Sequence, residues 1–280
     1  MNEAPIGIFD SGVGGLTVVR AIMRRLPQES IVYFGDNARG PYGPRTIQEV
    51  RNFALEISSF LENLGVKLIV IACNSATSAG LLEVQRHCRV PVLGVVEPGA
   101  RGAVQATRNR RIGVIGTVVT IRSRAYLRAI RALDAGATVI SRACPTLVDF
   151  VERGEVEGSR VEAEVARYLG PLRRRGVDTL VLGCTHYPLL KGVIGRFMGP
   201  GVKLISSDEE VAREVEENLR RRGYLRESSG PPSYRFMCSG DVDQAVGLGR
   251  IFLGPEVEAV ERVELPLLPS SGGGDFPSRR

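Results

Sequence analysis

Leu68-Ile-Val-Ile-Ala-Cys-Asn-Ser-Ala-Thr77 runs five apolar residues into a cysteine, then into small polar residues that open a helix-like segment. The same grammar returns in Leu180-Val-Leu-Gly-Cys-Thr-His-Tyr-Pro188. A continuous apolar run of this length reads as a buried parallel strand, and parallel strands belong to α/β folds with helices on both faces of the sheet. Residues just past the C-terminal end of such a strand sit where open α/β sheets bind ligands. Cys73 and Cys184 therefore take equivalent places in two similar units.

Other stretches extend the pattern. Pro5-Ile-Gly-Ile-Phe9 reads as a strand, and Asp10-Ser-Gly-Val-Gly-Gly15 as a tight turn into the helix-like Leu16–Leu26. Free backbone N–H groups at such a turn favour an anion. The turn is neither a P-loop nor a dinucleotide fingerprint, because it lacks a Gly-Lys-Ser/Thr and the glycine spacing is wrong. Ile31–Phe34 is a strand, Gly35–Pro44 a turn-rich loop, and 46–64 an amphipathic helix with Gly65 at its end. Ala76–Arg86 reads as a crossover helix and Val90–Val96 as a strand. From Arg111 the order restarts. Ile112 lies 106 residues after Ile6, and Cys184 lies 111 residues after Cys73, which argues for an internal duplication.

Later segments continue the alternation: strands at 137–140, 202–206 and 234–239, and helices at 159–175, 208–222 with Asp208 as N-cap, and 242–253. These readings predict two pseudo-symmetric, doubly wound α/β domains with parallel sheets and an active site in the cleft between them. The first would hold 1–97 plus 208–265, and the second 98–207. Residues 269–280, rich in Gly, Ser and Pro, have the composition of a disordered tail.

Bulk composition narrows the classes. At 280 residues, 43% hydrophobic and 24% charged, the chain is ordinary for a globular protein with a real core. No apolar run reaches membrane-spanning length, and the N-terminus carries no secretory pattern, so no membrane partner and a cytoplasmic location are expected. Five widely spaced cysteines without a C-x-x-C pair fit reduced thiols, and Cys184-x-His186 alone is too sparse for a metal site. The net charge of +6 comes from arginine clusters at helix ends or loops. Aromatic residues do not interleave them, so no nucleic-acid partner is expected.

Two thiols at strand ends in two halves would face each other across one cleft. A lone cysteine is ordinarily a small buried hydrophobe; pairing makes these two a candidate base and acid, whereas Cys88, Cys144 and Cys238 read as structural. His186 is either a hydrogen-bonded core histidine or the group that tunes Cys184. Asp10 ends the first strand on the edge of Cys73, where it could orient that thiol, accept its proton, or cap a helix in place of Ser11. Asn74, Ser75, Thr117, Thr120 and Thr185 add short polar groups for a small zwitterionic substrate. Pro41-Tyr42-Gly43 is a candidate flexible cover.

Phe9-Asp-Ser-Gly-Val-Gly-Gly-Leu16, the Gly35-Asp and Pro41-Tyr-Gly43 pair, Ala72-Cys-Asn-Ser-Ala76, Glu97-Pro-Gly99, Ile112-Gly-Val-Ile-Gly-Thr117 and Gly183-Cys-Thr-His-Tyr-Pro188 together resemble glutamate racemases of the aspartate/glutamate racemase superfamily. The resemblance implies a cofactor-independent isomerase with two bases, in which Cys73 takes the Cα proton of D-glutamate and Cys184 that of L-glutamate. It implies that Asp10, Glu152 and His186 assist the thiols. Ser11, Pro41, Tyr42, Gly43, Asn74, Ser75, Thr117, Thr120 and Thr185 would hold substrate with Asp10 and His186. It further implies a homodimer and a supply of D-glutamate for peptidoglycan. Asp149-Phe150 stands where Pro-Leu is expected, which loosens the match around Glu152. The N-terminal extension that resembles an activator site in some members is not seen here. Alternatives are a racemase of aspartate or another small acid, and a glutamate-binding protein without catalysis. A pyridoxal mechanism would need a lysine, and Lys67, Lys191 and Lys203 all lie outside these motifs.

Overall fold

The computed structural model describes residues 2–265, so the predicted tail at 269–280 lies outside the described residues. Elements alternate along the chain. The first half runs β1 (Ile6–Asp10), α1 (Leu16–Arg25), β2 (Ile31–Gly35), α2 (Ile47–Asn63), β3 (Leu68–Ile71), α3 (Asn74–His87) and β4 (Val92–Gly94). After α4 (Val96–Ala106) come β5 (Arg111–Gly116), α5 (Val118–Arg122), α6 (Ala125–Leu133), β6 (Thr138–Ala143), α7 (Thr146–Glu152), α8 (Ser159–Arg174) and β7 (Thr179–Gly183). A 3-10 turn at Tyr187–Leu190 leads into α9 (Lys191–Met198), β8 (Lys203–Ser206), α10 (Ser207–Arg222), β9 (Tyr234–Cys238), α11 (Val242–Phe252) and β10 (Glu261–Arg262).

Two sheets result, with strand orders β10-β9-β2-β1-β3-β4 and β6-β5-β7-β8, and every pair is parallel. The order β2-β1-β3-β4 is repeated by β6-β5-β7-β8, so the duplication read from cysteine spacing reappears as topology. Cys73 comes just after β3 and Cys184 just after β7, which hold the same place in the two orders. β9 and β10 extend the first sheet beyond β2.

Residues alternate between the faces of each strand, as the pleat requires. Ile6 and Ile8 pack with α1 residues Val18, Val19 and Ile22, and Phe9 packs with Val50, Ala54 and Ile57 of α2. The first of these cores continues without a break into Leu180, Leu182, Val165 and Leu169 of the second half. Three of the arginine clusters stand in the last turns of α1, α8 and α10, where a cation suits the helix dipole.

Two readings are corrected. Asp208 does not cap α10, because β8 passes into the helix with Ser206 at the N-cap and Asp208 falls within the first turn. Helix α4 fills a stretch, Glu97-Pro-Gly-Ala-Arg-Gly102, to which the sequence pattern assigns no element. Pro98 lies in its first turn, where no backbone N–H is needed. Gly99 and Gly102 are close-approach positions: added Cβ atoms would lie 2.6 Å from Ser207 Oγ and 3.2 Å from Ile205 Cγ2.

Candidate active site

The strand ends of the two sheets open onto one cavity of about 260 Å³. Cys73 and Cys184 both line it, one from each half, and both are free thiols. Cys73 is the N-cap of α3, and its sulfur accepts from the Ala76 N–H at 3.4 Å. Ser11 Oγ is 3.7 Å from the same sulfur. Cys184 Sγ lies 3.8 Å from His186 Nδ1. Nε2 of that ring is 3.3 Å from Glu152 Oε1 without hydrogen-bond geometry, so this contact is an ion pair.

The halves are sewn together behind the thiols. Thr185 Oγ1 reaches Asp10 Oδ1 at 3.4 Å, and Asp10 Oδ2 accepts from the Gly15 N–H at 3.1 Å. That bond ties Asp10 to the entry of α1, whose N-cap is Gly15 with no side-chain cap. Gly14 is required here: a Cβ would stand 2.4 Å from Thr185 Oγ1 and 2.7 Å from His186 Nδ1.

Of the residues named from sequence, Ser11, Pro41, Tyr42, Gly43, Asn74 and Ser75 line the cavity from the first half. Thr117, Thr185 and His186 line it from the second. Asp10, Thr120 and Glu152 do not. Asp10 is fully buried behind the thiols, Thr120 sits behind Thr117 with their hydroxyl oxygens 3.1 Å apart, and Glu152 meets the far side of His186. His87 is on the surface, 2.9 Å from Ser59 Oγ. The segment Pro41–Gly43 is a packed wall rather than a loose cover. Tyr42 is 1% exposed, its hydroxyl donates to Asp36, and its ring centroid lies 5.3 Å from that of Phe53.

Sequence reading missed Pro44 and Val118, and with them Pro145, Thr146, Val148 and Asp149 at the start of α7. A signal existed. The loop after β6 is the counterpart of the loop after β2, which supplies Tyr42, so the duplication itself points to Pro145 and Thr146.

Electrostatics differ at the two sulfurs. Burial pushes the Cys73 thiol well up, the charge of Asp10 adds to this, and the Ala76 N–H and Ser11 hydroxyl pull it down. Burial also raises the Asp10 carboxyl, against the charge of His186 and the backbone N–H groups of the glycine turn. For His186 burial opposes charge, yet its contacts with Cys184 and Glu152 prevail and lift it to about 10. A protonated imidazole thus faces one sulfur and a carboxyl backs the other. No lysine or arginine lines the cavity among the described residues, and no group of three or more potential metal ligands occurs among them.

The family model Asp/Glu/Hydantoin racemase matches residues 11–215. A glutamate racemase of Parafrankia sp. (strain EAN1pec) is 54% identical over 261 residues, covering 93% of this chain and 94% of its own. Glutamate racemase isoform RacE1 of Bacillus anthracis superposes with a TM-score of 0.92 at 44% identity, over 96% of this chain and 100% of its own. The Francisella tularensis glutamate racemase solved with D-glutamate gives 0.89 at 34% identity, over 94% and 98%. Two sheets of repeated strand order, a shared cavity, and relatives of this identity over nearly the whole length lead to one conclusion: the chain belongs to the Asp/Glu/hydantoin racemase family, among its glutamate racemases.

Proposed function

We propose that the protein interconverts L- and D-glutamate by two-base proton transfer at Cα, with no cofactor, and that its product supplies D-glutamate for peptidoglycan. The observation that carries this reading is the pair of free thiols, one from each half, lining a single cavity. Inversion at carbon needs a base on one face and an acid on the other, and two such groups from duplicated units meet that need.

In the L-to-D direction the Cys184 thiolate removes the Cα proton and becomes a thiol. The electron pair spreads into the α-carboxylate, and Cys73 gives its proton to the opposite face and becomes a thiolate. D-to-L reverses every step. His186 donates toward Cys184 sulfur and Glu152 holds the imidazolium, whereas the raised Cys73 thiol keeps its proton until the transfer. Asp10 orients the Cys73 side and balances the substrate ammonium. Ser11, Tyr42, Gly43, Asn74, Ser75, Thr117 and Thr185 hold the substrate, with Thr120 behind Thr117. Neutral hydrogen-bond donors lining the cavity are placed to stabilise charge developing on the carboxylate.

D-glutamate in deuterated buffer, with chelator and no added pyridoxal phosphate, is the test. Optical rotation should decay while deuterium enters at Cα. Decay that depends on added pyridoxal phosphate or metal, or an absence of uptake, sinks the reading. A homodimer and a cytoplasmic setting are part of this proposal. Five free cysteines suit a reducing compartment, and among the described residues no helix is long and apolar enough to cross a membrane.

A further inference from the structure

Asn74 comes directly after Cys73 and lines the cavity, yet half of its amide is already engaged. Its Oδ1 accepts from the hydroxyl of Tyr126 at 2.7 Å. Tyr126 belongs to α6 in the other half, is 2% exposed, and does not line the cavity. Its oxygen is also 3.1 Å from Ser207 Oγ, on the first residue of α10. Gly99 makes room for this pair, since a Cβ there would lie 2.6 Å from Ser207 Oγ and 3.2 Å from the Tyr126 oxygen.

A carboxamide has one acceptor end and one donor end of nearly the same shape. The partner of the first end decides which way the second points. Tyr126 has a single hydroxyl proton. Given to Asn74 Oδ1, it leaves the phenol oxygen to accept from Ser207 and turns the Asn74 NH2 toward the cavity. In a cavity with no lysine or arginine, where the one imidazole faces the Cys184 sulfur, a dicarboxylate draws much of its hold from such neutral donors. The reversed amide would set a carbonyl oxygen against a carboxylate. We propose that Tyr126 is a positioning residue for substrate binding: from the opposite half of the molecule it fixes the polarity of the Asn74 amide, so that the amide donates to a substrate carboxylate. This rests on the racemase reading and extends it to a residue outside the cavity.

A double-mutant cycle over Y126F and N74A, measured with both enantiomers of glutamate, is the test. In wild-type background Y126F should raise KM about tenfold, the loss expected for one hydrogen bond to a charged group, with kcat changed less than about threefold. In the N74A background Y126F should leave KM unchanged. An unchanged KM in Y126F, an equal KM rise with and without Asn74, or a fall in kcat and melting temperature alone would overturn the role. Side-chain amide NMR needs no change at Tyr126: the NH2 signals missing from N74A should shift when glutamate is added to wild type, and signals that stay still overturn the proposal. If wild type fails to racemise glutamate, the racemase reading falls and takes this one with it. If wild type is active and Y126F equals it, only the role of Tyr126 falls.

Discussion

Cys73 and Cys184 occupy matching positions in duplicated units, but their surroundings are of opposite sign. Behind Cys73 stands a fully buried carboxyl, Asp10; beside Cys184 stands an imidazole lifted to about 10 and braced by Glu152. Duplication supplied the symmetry that inversion at carbon needs, and divergence of one neighbour supplied polarity. Burial keeps the Cys73 thiol in the protonated state that an acid needs, and the sulfur beside the cation is the one the proposed mechanism uses as base toward L-glutamate.

Removing either sulfur breaks the comparison outright. C73A and C184A should each lower racemisation by at least about a thousandfold, the scale of a lost acid–base partner. The surviving thiol should still exchange the Cα proton of a single enantiomer: L-glutamate in C73A and D-glutamate in C184A, monitored by deuterium NMR. Exchange of both enantiomers in either variant would contradict the two-sided assignment.

Neutralising the cationic side sharpens it. H186N should lower kcat/KM about a hundredfold. The loss must be equal from both enantiomers, because mirror-image substrates have equal free energy in water. The asymmetry must appear in kcat and KM together, both falling more for L-to-D than for D-to-L. His186 also leaves a stability signature. Its folded value of about 10 lies above its ordinary value near 6.5, so its stabilisation is complete below about pH 6.5 and is lost as pH rises through about 10. Melting temperature measured from pH 6 to 10.5 should fall with pH more steeply for wild type than for H186N.

The anionic side should behave in the opposite sense. Asp10 is raised by burial, so the folded state binds its proton more readily than the unfolded chain, and stability is given up as pH rises above about 4. D10N should therefore melt no lower than wild type at pH 7 while losing about tenfold or more in kcat/KM, a site that trades stability for function. E152Q should show the smallest effect, less than about tenfold, because the Glu152 side chain is 41% exposed and its contact with His186 is screened. A D10N protein that melts well below wild type would show that its buried charge is a net stabiliser.

The unequal sides also explain which features could be read from the chain. Buried parallel strands announce themselves as apolar runs, so β1, β3, β5 and β7 were legible, and the cysteine at each matching strand end marked the cleft. The cleft is described by local chemistry: small polar residues directly after a strand. The features that escaped depend on contact between distant helices. Helix α4 was hidden by glycines that serve its approach to Ser207 and Ile205 rather than a turn. Tyr126 carries no local mark of its bond to Asn74, a residue 52 positions earlier. Asp149 was noticed only as a departure, yet it lines the cavity because α7 begins where the second unit repeats the Tyr42 loop.

A structure of the wild-type protein with bound glutamate tests the central claim most directly. The account predicts Cα between the two sulfurs, Cys73 and Cys184 on opposite faces and each about 3–3.5 Å away, the separation of a near-attack geometry. Glutamate bound with both sulfurs on one face, or with either thiol turned out of the cavity, would contradict it.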